Sequence, residues 1–194
     1  KKYPIKRMGK DQFLKKYSGK RTQGIVVSFQ RNIIQSLPSF KMSTENECLL
    51  VVDNLEDPQN LGQMIRTAEC ANITGLLLPE HQSVQLTDAV LQVSQGAFVH
   101  LPIFRCGNLH QELCALKKEG FWIIGVENSV KAMSWHELDY KRKIVLVMGS
   151  EGKGIRPVIV KVCDELITIP MKGQLNSLNV SSATSAILFE RLRQ

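Results

Sequence analysis

The chain has 194 residues, 43% of them hydrophobic and 22% charged, and a formal net charge of +7, which suits one full α/β domain plus an attachment. No apolar run is long enough to span a bilayer, and the polar, basic start lacks a signal-peptide pattern, so the expectation is a cytoplasmic protein with no membrane partner. The charge is uneven: residues 1–41 hold eleven Lys/Arg against one acid, Asp11, while the rest holds fourteen bases against seventeen acids. Such a block suits a polyanion partner, because each Lys or Arg near a phosphate releases counterions; it equally suits a solvated leader.

In chain order, Gly24–Val27 is a short apolar run readable as a strand, and Ser36–Asn46, with Pro38 and serines, reads as a connector. From Cys48 the pattern becomes regular. Cys48–Val52 (CLLVV) is unbroken apolar sequence, as expected of a strand covered on both faces. Asp57-Pro58 then opens a helix, Asp as N-cap and Pro in the first turn, with Leu61, Met64, Ile65 and Ala68 on one face. Further strands are predicted at Gly75–Leu78, Val99–Phe104, Phe121–Val126, Ile144–Met148 and Leu166–Ile169. Helices are predicted at Asp88–Val93, Leu109–Lys118, around Val158–Cys163 and at Val180–Arg193. This alternation implies an α/β fold, a mostly parallel sheet with helices on both faces. The organisation expected is a basic leader and linker over 1–45 and one domain over 46–194.

The five cysteines show no close pair with zinc-ligand or redox spacing, and the four histidines no HxxxH or HExxH pattern, so no metal site is expected. The cysteines read as small buried residues in a reducing compartment.

Three segments carry chemical interest, each just past a strand end, where open α/β sheets bind ligands. In DNLEDPQNLGQMIRTA (53–68), Asn60, Gly62 and Arg66 start a helix; on spacing alone Arg66 reads as a surface cation. In GSEGKGI (149–155), three glycines permit positive φ and close backbone approach to a ligand. The order fits neither a P-loop nor GxGxxG. In IPMKGQLNSLN (169–179), hydroxyl and amide side chains gather at a helix start, with Ser177 or Asn179 as cap; exposed N–H groups there also suit a polar ligand.

Taken together and in order, NLxxxxNxGxxxRTA, VMGSEGxGI and IPMxGxxxSLNVSxA resemble the three motifs of the SpoU group of RNA ribose methyltransferases in the SPOUT superfamily, over roughly residues 48–192. The segment RTQGIVV at 21–27 resembles the linker that follows a small RNA-binding domain in members that methylate a guanosine of large-subunit rRNA. That likeness implies that the leader is the end of such a domain.

The resemblance implies a C-terminal trefoil knot, S-adenosylmethionine as cofactor, structured RNA as partner and a homodimer. The cofactor would lie among loops near Val126–Asn128, Gly149–Ile155 and Ile169–Leu178. The implied cofactor residues are Val126, Gly149, Glu151, Gly152, Gly154, Ile169, Met171 and Leu178. Asn60, Arg66, Glu151, Ser177 and Asn179 correspond to the catalytic set. In that set Arg66 stabilises charge on the attacking ribose oxygen or holds a phosphate, Asn60 orients Arg66 or the ribose, and Glu151 fixes the glycine loop or Arg66. Ser177 and Asn179 shape the third loop. The alternatives are a tRNA ribose substrate, a base-modifying member of the superfamily, and a silent RNA-binding factor.

Overall fold

The computed structural model describes residues 4–19, 22–28, 30, 32–41, 46–81, 83–129 and 132–194. Lys1, Lys2, Lys20, Arg21 and Arg31 of the basic leader, and residues 42–45 of the expected connector, lie outside the described residues.

The chain forms two compact units, Lys1–Asn32 and Ile33–Gln194. In the first, α1 (Lys10–Lys16) carries Asp11 in its first turn and Lys15 and Lys16 in its last, the charge placement the helix dipole favours. The strand expected at Gly24–Val27 does not form. Gln23 and Gly24 take positive φ in a turn closed by Ile25 N–H to Thr22 O. Beyond it Ile25 and Val27 are 74% and 76% exposed, and no strand among the described residues pairs with them.

The second unit is built on eight strands: β1 (Ile34–Gln35), β2 (Cys48–Val52), β3 (Gly75–Pro79), β4 (Ile103–Cys106), β5 (Trp122–Val126), β6 (Met133–Ser134), β7 (Ile144–Met148) and β8 (Glu165–Thr168). They lie in the order β1-β4-β3-β2-β7-β5-β8-β6, every ladder parallel. Register runs straight through the centre, with Cys48↔Ile144 to Val52↔Met148 and Trp122↔Ile144 to Val126↔Met148. The helices are α2 (Pro58–Cys70), α3 (Asp88–Val93), α4 (Leu109–Lys118), α5 (Pro157–Val160) and α6 (Val180–Arg193).

Strand alternation divides the core into two layers. Cys48, Leu50 and Val52 pack with α2, α3 and α6 through Met64, Ile65, Val90 and Ile187. Leu49 and Val51 point the other way, to Leu113, Leu116 and Ile159 of α4 and α5. Helices therefore cover both faces, and the unbroken apolar runs CLLVV and IVLVM are buried along their whole length.

Local signals operate as the sequence suggests at several places. Asp57 caps α2 by accepting from Gln59 N–H, with Pro58 at the first helical position. Asn179, not Ser177, caps α6, accepting from Ser181 N–H and Ser182 N–H.

The strand expected over Val99–Phe104 is a correction. Gly96, at φ 91°, starts a 3-10 turn over Ala97–Val99. The strand begins only at Ile103, after Pro102, which has no N–H for a ladder and offers only its carbonyl, to Leu76 N–H. Residues 33–41 belong to the second unit: β1 pairs with β4, and Phe40 packs edge-on against Phe121 at 5.2 Å between ring centres. No helix among the described residues is long and apolar enough to cross a membrane.

Candidate active site

Because all strands run the same way, the chain leaves β2, β5, β7 and β8 at one edge of the sheet. The segments after β5, β7 and β8 enclose a cavity of about 390 Å³. Val126, Gly149, Glu151, Gly152, Gly154, Ile169, Met171 and Leu178 all line it, and so does Ser177. Asn60, Arg66 and Asn179 are not in its lining.

The loop after β7 turns back on itself through mutual backbone hydrogen bonds of Ser150 and Gly154. Its glycines serve different ends. Gly152 and Gly154 take φ of 82° and 66°, where an L side chain is strained. Gly149 does not; a Cβ there would lie 2.2 Å from the carbonyl carbon of Gly154, so the loop closes only over a residue without a side chain.

Three ties hold this loop. At its exit Arg156 grips the fully buried Asp53, with Nε and backbone N each 2.8 Å from its carboxylate and Nη2 at 2.7 Å. At its tip Lys153 Nζ lies 2.8 Å from Glu56, which holds the Glu56 carboxyl below its ordinary range, chiefly by that hydrogen bond. In its middle Glu151 Oε1 accepts from Asn179 Nδ2 at 2.7 Å, Asn60 Nδ2 at 3.2 Å and Val180 N–H at 3.3 Å.

The second amide proton of Asn179 goes to Asn60 Oδ1 at 2.8 Å. Three of the five expected catalytic residues, Asn60, Glu151 and Asn179, thus form one hydrogen-bonded hub joining the starts of α2 and α6 to the glycine loop. Ser181 Oγ extends it, 2.6 Å from both Asn179 Oδ1 and Gln63 Oε1, its single proton serving one at a time.

Arg66 stands apart. It is exposed on α2, and its guanidinium makes no hydrogen bond or ion pair with a described residue, whereas the next residue, Thr67, contacts Ser185 of α6 at 3.1 Å. Neither the Asn60 nor the Glu151 side chain hydrogen-bonds to Arg66; both bond within the hub.

The residues that the sequence does not single out are Glu127, Asn128, Ser150 and Asn176, which also line the cavity. Asn128 Nδ2 donates to Asn176 O, linking the first and third loops. Ser150 Oγ is buried with no hydrogen-bond partner among the described residues, an unmet polar group of the kind a ligand satisfies. Their only sequence signal is position, Glu127, Asn128 and Ser150 within two residues of a strand end and Asn176 in the loop after β8.

These features fit a nucleoside-type ligand. The volume is in the range of small-molecule sites, Ile169, Met171 and Leu178 are apolar, and backbone and hydroxyl groups of the glycine loop converge beside them. Three of the five thiols are held protonated: burial pushes Cys48 up to about 12 and Cys106 and Cys163 up to about 11.

A model of the SpoU rRNA Methylase family matches residues 47–189. A Staphylococcus saprophyticus protein assigned by name to the TrmH family of tRNA/rRNA methyltransferases is 38% identical over 166 residues, covering 86% of this chain and 65% of that protein. The chain thus spans just under two thirds of that relative. The AdoMet-bound rRNA methyltransferase from Sinorhizobium meliloti superposes with a TM-score of 0.74 at 27% identity, over 82% of this chain and 61% of that one. The A. aeolicus TrmH/SpoU tRNA modifying enzyme gives 0.71 at 30%, over 80% and 79%.

Proposed function

This chain belongs to the SpoU rRNA methylase family, and from that premise we propose that it transfers a methyl group from S-adenosylmethionine to a ribose 2′-hydroxyl of structured RNA. The substrate we assign is a guanosine of ribosomal RNA, on the resemblance of the segment at 21–27. The observation that carries the reading is the cavity at the strand ends, with the Asn60–Glu151–Asn179 hub beside it.

S-adenosylmethionine supplies a methyl group on a sulfonium; the O–CH3 bond forms as the S–CH3 bond breaks, leaving S-adenosylhomocysteine. The residues of the chain supply the rest. The glycine loop, Ile169, Met171 and Leu178 hold the donor, and Ser150 Oγ meets a polar atom of it. Glu151, anchored by Asn60, Asn179 and Val180 N–H, keeps that loop in register with α2 and α6. Ser177 shapes the third loop.

Arg66 acts on the ribose oxygen. A guanidinium stays protonated at neutral pH, so it cannot take the hydroxyl proton; it stabilises the negative charge that develops there while the proton leaves to solvent or an RNA phosphate. An exposed guanidinium with no hydrogen-bond or ion-pair partner among the described residues is available for that. The basic leader adds phosphate contacts. The working form is a cytoplasmic homodimer.

The experiment is incubation of the chain with methyl-labelled donor and rRNA or, in parallel, tRNA, followed by nucleoside analysis. Labelled 2′-O-methylguanosine is the expected product. Label on a base points to the base-modifying reading, label only in tRNA to a tRNA substrate, and RNA binding without label to a silent factor.

A further inference from the structure

The cavity is lined by three charged side chains, Glu127, Glu151 and Lys153, and their surroundings differ. Lys153 is matched by Glu56 at 2.8 Å. Glu151 meets the start of α6 through Val180 N–H and two amide groups, so the positive end of that helix partly offsets its charge. Glu127 has no such offset. Its backbone is fixed, the N–H to Ile167 O at 3.0 Å and the carbonyl to Ser129 N–H at 3.0 Å. Its carboxylate makes no hydrogen bond or ion pair among the described residues. The carboxylate faces Gly154, where a Cβ would come within 3.4 Å of Oε1. Arg156, two residues beyond Gly154, holds the buried Asp53. The lining with its paired neighbours is therefore anionic.

Resting on the donor reading above, we infer that Glu127 is a specificity-determining residue that makes the cavity prefer the cationic methyl donor to its neutral product. Methyl transfer removes the sulfonium charge and leaves a thioether, so the two ligands share their shape and differ by one positive charge. A half-buried carboxylate in a cavity partly shielded from water attracts the sulfonium and is indifferent to the thioether. Glu127 thereby favours exchange of spent product for fresh donor. A hydrogen bond from Glu127 to the adenosine part, by contrast, would strengthen both ligands alike.

Calorimetry with S-adenosylmethionine and S-adenosylhomocysteine separates these. Glu127→Gln keeps shape and an acceptor oxygen and removes the charge. The expected result is donor affinity weakened on the order of five- to tenfold, the scale of a partly screened charge pair, with product affinity changed less than about twofold. Product binding by the variant doubles as the check that it is folded. Glu127→Asp, which keeps the charge, restores most of the preference. Equal weakening of both ligands, or no change in either, overturns the inference while leaving the donor reading intact. A wild-type chain that binds neither ligand overturns both.

Discussion

At the N-terminal ends of the strands Asp164 accepts from Ile123 N–H at 2.8 Å and pairs with Lys117 at 2.8 Å. Lys143 Nζ donates to Phe40 O at 2.8 Å, and Arg142 lies 4.4 Å over the Trp122 ring. At the C-terminal ends the same strands open into the loops that line the cavity, and beside the Glu151 hub the Glu127 carboxylate and Ser150 Oγ have no hydrogen-bond partner among the described residues. The first end closes polar groups on one another and holds the sheet; the second keeps some open for a ligand. Loss of stability without loss of binding belongs to one end, and loss of binding or turnover without loss of stability to the other.

The sharpest way to break this division is Arg66→Ala. Single-turnover methylation at saturating RNA and donor should fall about a hundredfold or more, the scale of a lost transition-state donor, with Tm and donor affinity nearly unchanged. Arg66→Lys should rescue poorly, since a point charge does not reproduce the planar fork. Near-normal rates in the alanine variant would remove Arg66 from the chemistry.

Next is Gly149→Ala, whose Cβ meets the Gly154 backbone at 2.2 Å. It should cost about 1–3 kcal/mol by overpacking and weaken donor binding at least about tenfold as the loop shifts, read by chemical denaturation and calorimetry. Gly152→Ala should do less, because nothing lies within 4 Å and only its φ of 82° resists. At the opposite end, Asp164→Ala should lower stability by about 1–2 kcal/mol, since it strands Ile123 N–H and its ion pair is half exposed. Donor affinity should stay the same; a drop would show that the two ends are coupled.

The smallest effect concerns the thiols. Raised pKa values keep Cys48, Cys106 and Cys163 protonated at pH 8, hence unreactive. Iodoacetamide at that pH should modify the exposed Cys70 first, as mass spectrometry would show. Cys70 ends α2, toward the N-terminal edge of the sheet, so donor binding should be untouched.

The legible parts of the fold were those with a local cause. CLLVV and IVLVM read as buried strands because an unbroken apolar run has few other destinations, and Asp57-Pro58 starts a helix by its own chemistry. The two-residue strands β1 and β6 were not legible; they exist only because β4 and β8 offer them a partner. Gly24–Val27 shows the converse, strand-like composition with no neighbour to pair.

The site was legible where glycines and amides recur in a recognisable order. The tie of Glu151 to Asn60, 91 residues away, has no signature in a single chain. Glu127 reads as any loop carboxylate until the strands are placed side by side.

The position of β8 bears on how the molecule comes together. It is the last strand in the chain, yet it takes an inner slot between β5 and β6, which were made earlier. Until β8 arrives, β6 has no pairing partner, and the cavity lacks the wall formed by Thr168–Leu178. β6 must therefore wait for a strand made after it, as β1 waits for β4 at the opposite edge of the sheet. Contacts so distant in sequence form slowly. The ligand-binding half therefore cannot assemble until the segment through Leu178 is available to close its wall.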